Sequence, residues 1–168
     1  MRAGGEGDIL IAKRVYYFLF IVGMLAVDQI SKYFIVRYLP PFSRIRVIPG
    51  FFDLTHIHNR GAIFGFLSQS GSQTVYYLLL LASLLALFLV VYYFFKASPD
   101  ERFLELSLSL ILAGALGNLL DRIGRGFVID FLDFYLGHLH WPSFNVADAC
   151  VSLGALFLIF ILFFKRRP

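Results

Sequence analysis

From Val75 to Phe95 the chain runs without a single charged residue, and Lys96 ends the run. A stretch of this length crosses ~30 Å of hydrocarbon when helical. In lipid every backbone N–H and C=O must be satisfied within the segment, so an α-helix is the only open-chain solution. Three further runs are long and mostly apolar, though each holds at least one charge: 15–39, 103–123 and 146–164. The fold class expected is an all-α membrane protein of four transmembrane helices. Only 15% of the residues are charged and 59% are hydrophobic, whereas a soluble domain carries about 25% charged residues. A net charge of +4 spread beside the apolar runs suits anionic headgroups and suggests no nucleic-acid partner.

Residues 1–12, Gly-rich and of mixed charge, are expected to form a disordered cytoplasmic tail, with one four-span domain over 13–168. The first apolar run is longer than a cleaved signal segment and holds Asp28 and Lys32, so it reads as a retained span. Cys150, the only cysteine, excludes an intrachain disulfide and a cysteine-bound zinc. The segments 40–74 and 124–145 read as loops on one side. In the first, RIRVIPGFFDLTHIH has short β-like runs broken by Pro49-Gly50. GAIFGFL (61–67) reads as a short interfacial helix, and Ser98 and Asp100 as caps of the third span. Four spans put both termini on one face. Arg2, Lys13, Arg14, Lys96, Arg102 and Lys165 to Arg167 fall there, against Arg37, Arg44, Arg46, Arg60, Arg122 and Arg125 on the other. The positive-inside rule favours cytoplasmic termini by that small margin.

Charges inside such spans are costly and read as functional by default. At ~1.5 Å rise per residue, Asp28, Asp121 and Asp148 reach a common level near the loop side of the bilayer. Asp28 and Lys32 share one helix face, Asn118, Asp121 and Arg122 a second, and Asn145 and Asp148 a third. Three polar stripes at one depth should converge. Asp130, in the β-like FVIDFLDF, lies close enough to join them, while Asp133 reads as a surface acid. Asp28–Lys32 is equally a packing ion pair, and Asp121 pairs with Arg125 or with a basic residue elsewhere. His56-x-His58 and His138-x-His140 have strand spacing but no companion carboxylate at ligand spacing, so no metal site is expected. Trp141, Tyr135 and Phe144 read as an interfacial aromatic belt. Clustered carboxylates leave two chemistries open: proton-coupled transport, or hydrolysis by two aspartates sharing one proton. A non-catalytic scaffold is the bland third reading.

VDQISK (27–32), HNRGAIFGF (58–66), GNLLDRIGRGFVIDF (117–131) and WPSFNVADA (141–149), in this order, closely resemble the motifs of the lipoprotein signal peptidases. The resemblance covers all four spans and both loops. It implies an aspartic endopeptidase of the bacterial inner membrane that cuts diacylglyceryl-modified prolipoproteins before the lipidated cysteine. It implies Asp130 and Asp148 as the catalytic pair, and Asp28, Lys32, Asn59, Gly61, Asn118, Asp121, Arg122 and Asn145 as supporting or substrate-lining residues. It also implies a small extracytoplasmic β-cradle beside the helices, no cofactor, and a monomer whose partners are prolipoprotein substrates and membrane phospholipids. Ile63 and Ala149 depart from the family's usual small and hydroxyl residues.

Overall fold

The computed structural model describes residues 3–61, 73–98 and 100–164, the first eight of these as backbone only. Four helices, α1 (Ala3–Tyr38), α2 (Gln73–Lys96), α3 (Arg102–Arg125) and α4 (Val146–Phe164), are each long and apolar enough to cross a membrane. Between them lie strands β1 (Arg44–Ile48) and β2 (Phe52–Asn59), then β3 (Val128–Leu136) and β4 (Leu139–His140). The expected spans and the β-like runs of both loops are present. All of the expected helix over 61–67 past Gly61, Ile63 with it, and the basic run 165–167 lie outside the described residues.

Two boundaries differ from expectation. Helix α1 begins at Ala3, within the stretch expected to be disordered. Once a long span has paid for nucleation, each added residue gains a hydrogen bond at little cost. Helix α3 is capped by Glu101, not by Ser98 or Asp100, and no side chain caps its free amides. The Glu101 carboxylate reaches back instead and accepts the Ser98 backbone N–H at 3.1 Å, closing the tight turn.

α3 is the central helix, in contact with all three others. Its partnership with α4 depends on glycine. A Cβ on Gly154 would stand 2.7 Å from the Ser107 carbonyl oxygen and 2.7 Å from Ile111 Cγ1. In lipid, where apolar burial drives little, such close backbone approach supplies the packing. Gly154→Ala is therefore expected to push the helices apart and cost about 1–3 kcal/mol, read as a lower melting temperature in detergent.

Tyr17 of α1, Phe94 of α2, and Leu108 and Leu112 of α3 form a core near one end of the bundle. A second core joins Ile35 of α1 to Ile129 and Phe131 of β3 at the other. Both ends of the described chain thus lie away from the sheet. The sheet is an antiparallel meander, β1-β2-β3-β4. Gly126, at φ 78°, ends α3 in the left-handed conformation that glycine adopts without strain and turns the chain into β3. The β2–β3 register sets Asn59 opposite Val128 and Ile57 opposite Asp130, with an irregularity between Leu54 and Ile57. Past β4, Phe144 bridges back to Leu132 and leads the chain into α4. One strand and one helix N-terminus are so brought to the same place.

Candidate active site

Lys32 is the hub of the buried network. It has no solvent exposure, and its ammonium lies 2.8 Å from Asp28 Oδ2, 2.9 Å from Asp121 Oδ2 and 3.2 Å from Asn118 Oδ1. Three acceptors answer three N–H groups. Asp28 Oδ1 accepts the Ala147 backbone N–H of α4's first turn at 2.9 Å, where the helix dipole favours a negative charge. Asp121 also pairs with Arg125 and accepts the Ile129 N–H at 3.3 Å. Both pairings left open for Asp121 by the sequence therefore exist together. Gln29, unremarked in the sequence, ties Asp28 to the Gly117 carbonyl oxygen; its only signal is adjacency to Asp28.

Upon this base stand two carboxyl groups. Asp130 points from β3 and is 2% exposed; Asp148 lies in the first turn of α4 and is half-buried. Asn59 Nδ2 donates to Asp130 Oδ2 at 2.8 Å and Asn145 Nδ2 to Asp130 Oδ1 at 2.7 Å. Asn118 Nδ2 donates to Asp148 Oδ1 at 2.8 Å, and the Asn145 backbone N–H to Asp148 Oδ2 at 3.2 Å. Asn145 Oδ1 in turn accepts the Asp148 N–H at 2.9 Å. Asn145 and Asp148 thus cap each other across the start of α4, and the side chain of Asn145 reaches the second carboxyl. All four carboxyl oxygens accept an N–H from an amide, and among the described residues none accepts one from a cation. Burial, and then the neighbouring Asp148 charge, push the Asp130 carboxyl up to about 7. An amide donor fixes a carboxyl's orientation without bringing a full positive charge beside it.

Asn59 Oδ1 accepts the Gly61 N–H at 2.9 Å, and the Arg122 guanidinium donates to the Gly61 and Asn118 carbonyl oxygens, each at 3.4 Å. Every residue expected at the site is therefore in this one network. Tyr76, which carried no sequence signal, anchors α2 to it by donating to the Arg122 carbonyl oxygen at 2.8 Å.

Asp133 requires correction. It is buried, not a surface acid, and faces Asp53 across the sheet. His140 Nδ1 lies 2.9 Å from its Oδ1. Side chains alternate along a strand, so Asp133 points to the face opposite Asp130. His56 and His58 meet each other, Nε2 to Nε2 at 3.1 Å, with His56 Nδ1 on the Leu39 carbonyl oxygen at 2.7 Å. Among the described residues no three His, Cys, Asp or Glu side chains converge as metal ligands would. Cys150 is buried beside the network.

Residues 20–164 match the family model described as "Signal peptidase (SPase) II". A lipoprotein signal peptidase of Syntrophus aciditrophicus is 40% identical over 92% of this chain and 97% of its own length. One from Nitratidesulfovibrio vulgaris is 42% identical over 85% and 86%. Two solved structures described as a bacterial membrane enzyme are each 33% identical, with TM-scores of 0.76 and 0.75. They cover 90% of this chain, and 92% and 94% of their own.

Proposed function

Because this chain belongs to the signal peptidase II family of aspartic membrane proteases, we propose that it removes signal peptides from diacylglyceryl-modified prolipoproteins, cutting before the lipidated cysteine with Asp130 and Asp148. The supporting observation is the amide-held pair: two carboxyl groups with a donor on every oxygen, one of them raised to about 7. With one proton between them, the ionised carboxylate takes a proton from water as the water oxygen attacks the scissile carbonyl carbon. The protonated carboxyl polarises and protonates the carbonyl oxygen. The tetrahedral diol then collapses: the C–N bond breaks, the leaving nitrogen takes a proton from one carboxyl, and a diol hydroxyl gives its proton to the other, which restores the pair's single proton. No covalent enzyme intermediate forms. Asn59, Asn118 and Asn145 orient the pair; Arg122, beside Gly61, lines the approach for substrate backbone. Lys32, Asp28 and Asp121 hold the helices that carry them. The basic residues near the chain ends favour cytoplasmic termini, with the site on the extracytoplasmic face. The test is incubation of the purified protein with a diacylglyceryl-modified prolipoprotein. Mass spectrometry should find a product beginning at the lipidated cysteine; an uncut substrate, or cutting elsewhere, would overturn the reading.

The pH dependence has a definite sign. Activity is expected to fall as pH rises through about 7, where the pair loses its shared proton. The same group affects stability. Its folded value lies above the ordinary carboxylate value of ~3.9, so the folded state holds the proton more tightly. Stability should therefore decline as pH rises from about 4 to about 7, read as a falling melting temperature over that window.

Asn145→Ala should slow cleavage by about 10²-fold through misplacement of the pair, with the protein still folded. Its hydrogen bond lowers the Asp130 value, so the alkaline limb of the pH–rate profile should also move to higher pH. A purely structural asparagine would leave that limb in place.

A further inference from the structure

Helices α3 and α4 close tightly where Gly154 meets Ser107 and Ile111, and past that contact they open. Toward the chain ends the neighbouring residues are large: Phe103 and Leu106 of α3, and Leu156, Phe157, Phe160 and Phe164 of α4. Side chains of that size cannot bring two backbones as near as glycine does, and they line a groove of about 790 Å³. That volume falls within the ~300–1,000 Å³ of sites that take a small molecule. The groove is separate from the carboxyl pair. Leu156 lies eight residues past Asp148 on α4, about 12 Å along the helix, and the other residues of α4 in the groove lie farther still. Its mouth is polar. Asp100, Glu101 and Arg102, which lead into α3, line it, and Asp100 and Arg102 are exposed.

We propose that this groove binds one phospholipid of the leaflet away from the sheet, an acyl chain along its floor and a zwitterionic headgroup with a primary amine, as in phosphatidylethanolamine, at its mouth. Length favours lipid over a further helix. From Leu156 to Phe164 the groove follows α4 for about 12 Å, close to the ~15 Å of hydrocarbon in one leaflet, whereas a crossing helix needs contact over ~30 Å. Charge selects the headgroup. Two acids beside one base leave the mouth with a negative balance, which opposes an anionic lipid, while a cation next to an anion matches a zwitterion. The Arg102 guanidinium offers a planar fork of donors to the phosphate, and the Asp100 carboxylate accepts from the ammonium. A primary ammonium has N–H groups to donate and a quaternary choline has none, so Asp100 distinguishes the two.

The inference rests on the membrane-spanning fold and not on the peptidase reading, and its test needs no cleavage. The full chain in mild detergent is mixed with phosphatidylethanolamine, phosphatidylcholine or phosphatidylglycerol of identical acyl chains, and native mass spectrometry measures the lipid retained. One phosphatidylethanolamine per chain should be held severalfold more than either other lipid, the scale that exposed charge pairs provide. Asp100→Asn should lower its retention to that of phosphatidylcholine. Arg102→Gln should weaken both zwitterionic lipids, and Leu156→Trp, which fills the groove, should do the same with the headgroup residues intact. Circular dichroism should keep its helical signal in all three variants. Equal retention of the three lipids, retention of none, or a preference for phosphatidylglycerol would overturn the proposal. So would a phosphatidylethanolamine preference that survives Asp100→Asn and Arg102→Gln together, which would place the lipid elsewhere on the protein.

Discussion

Lys32→Met is expected to destabilise the folded protein by about 3–5 kcal/mol, the cost of leaving buried charges without their partner. Methionine has nearly the volume of lysine and suits an apolar helix, so neither packing nor helix propensity accounts for a loss of that size. The loss comes from Asp28 and Asp121, both fully buried, which share the one ammonium at 2.8 and 2.9 Å. Asp121 retains Arg125, whereas among the described residues Asp28 keeps neutral donors, from Gln29 and the Ala147 backbone. Pairing Lys32→Met with Asp28→Asn should therefore recover part of the stability. Thermal unfolding in detergent reads both variants. A single variant that melts with the wild type would show that Lys32 does not hold α1, α3 and α4 together.

How far the sequence revealed this network follows from what spacing can and cannot express. Asp28–Lys32 and Asp121–Arg125 are four residues apart, and both pairs form as helical geometry dictates. Depth counting put Asp28, Asp121 and Asp148 at one level, and the Lys32 ammonium and Ala147 amide contacts are what that convergence looks like in three dimensions. Clustering at one end of the bundle also argues against a proton path through the bilayer, the transport reading that spacing had left open. Asn145 and Asp148 were legible as neighbours on one face. That they cap α4 reciprocally, while the Asn145 side chain also reaches Asp130, depends on where β3 lies. Asp133 was misread because its burial comes from the strand's far face and from His140, seven residues on and past a turn. The Lys32 link to Asn118 and the Asn59 link to Asp130 span 86 and 71 residues. No local pattern carries such contacts. The motifs promoted Asp130 and Asp148 above the other acids; the amide donors give that choice a physical basis.

Asp130→Asn and Asp148→Asn are each expected to reduce cleavage by about 10⁴-fold. Asparagine keeps the shape of aspartate and its one oxygen can still accept from one of the two donors each carboxyl meets, but it can neither take a proton from water nor hold the shared one. Neither change should unfold the protein, since replacing a buried carboxyl by an amide removes the cost of desolvating a charge. The decisive measurement is the rate at which wild type and the two asparagine variants, reconstituted at equal amounts in the same vesicles, release signal peptide from a diacylglyceryl-modified prolipoprotein. The proposed pair predicts background rates for both variants, each still folded and melting cooperatively. Wild-type cleavage by either folded variant would contradict it.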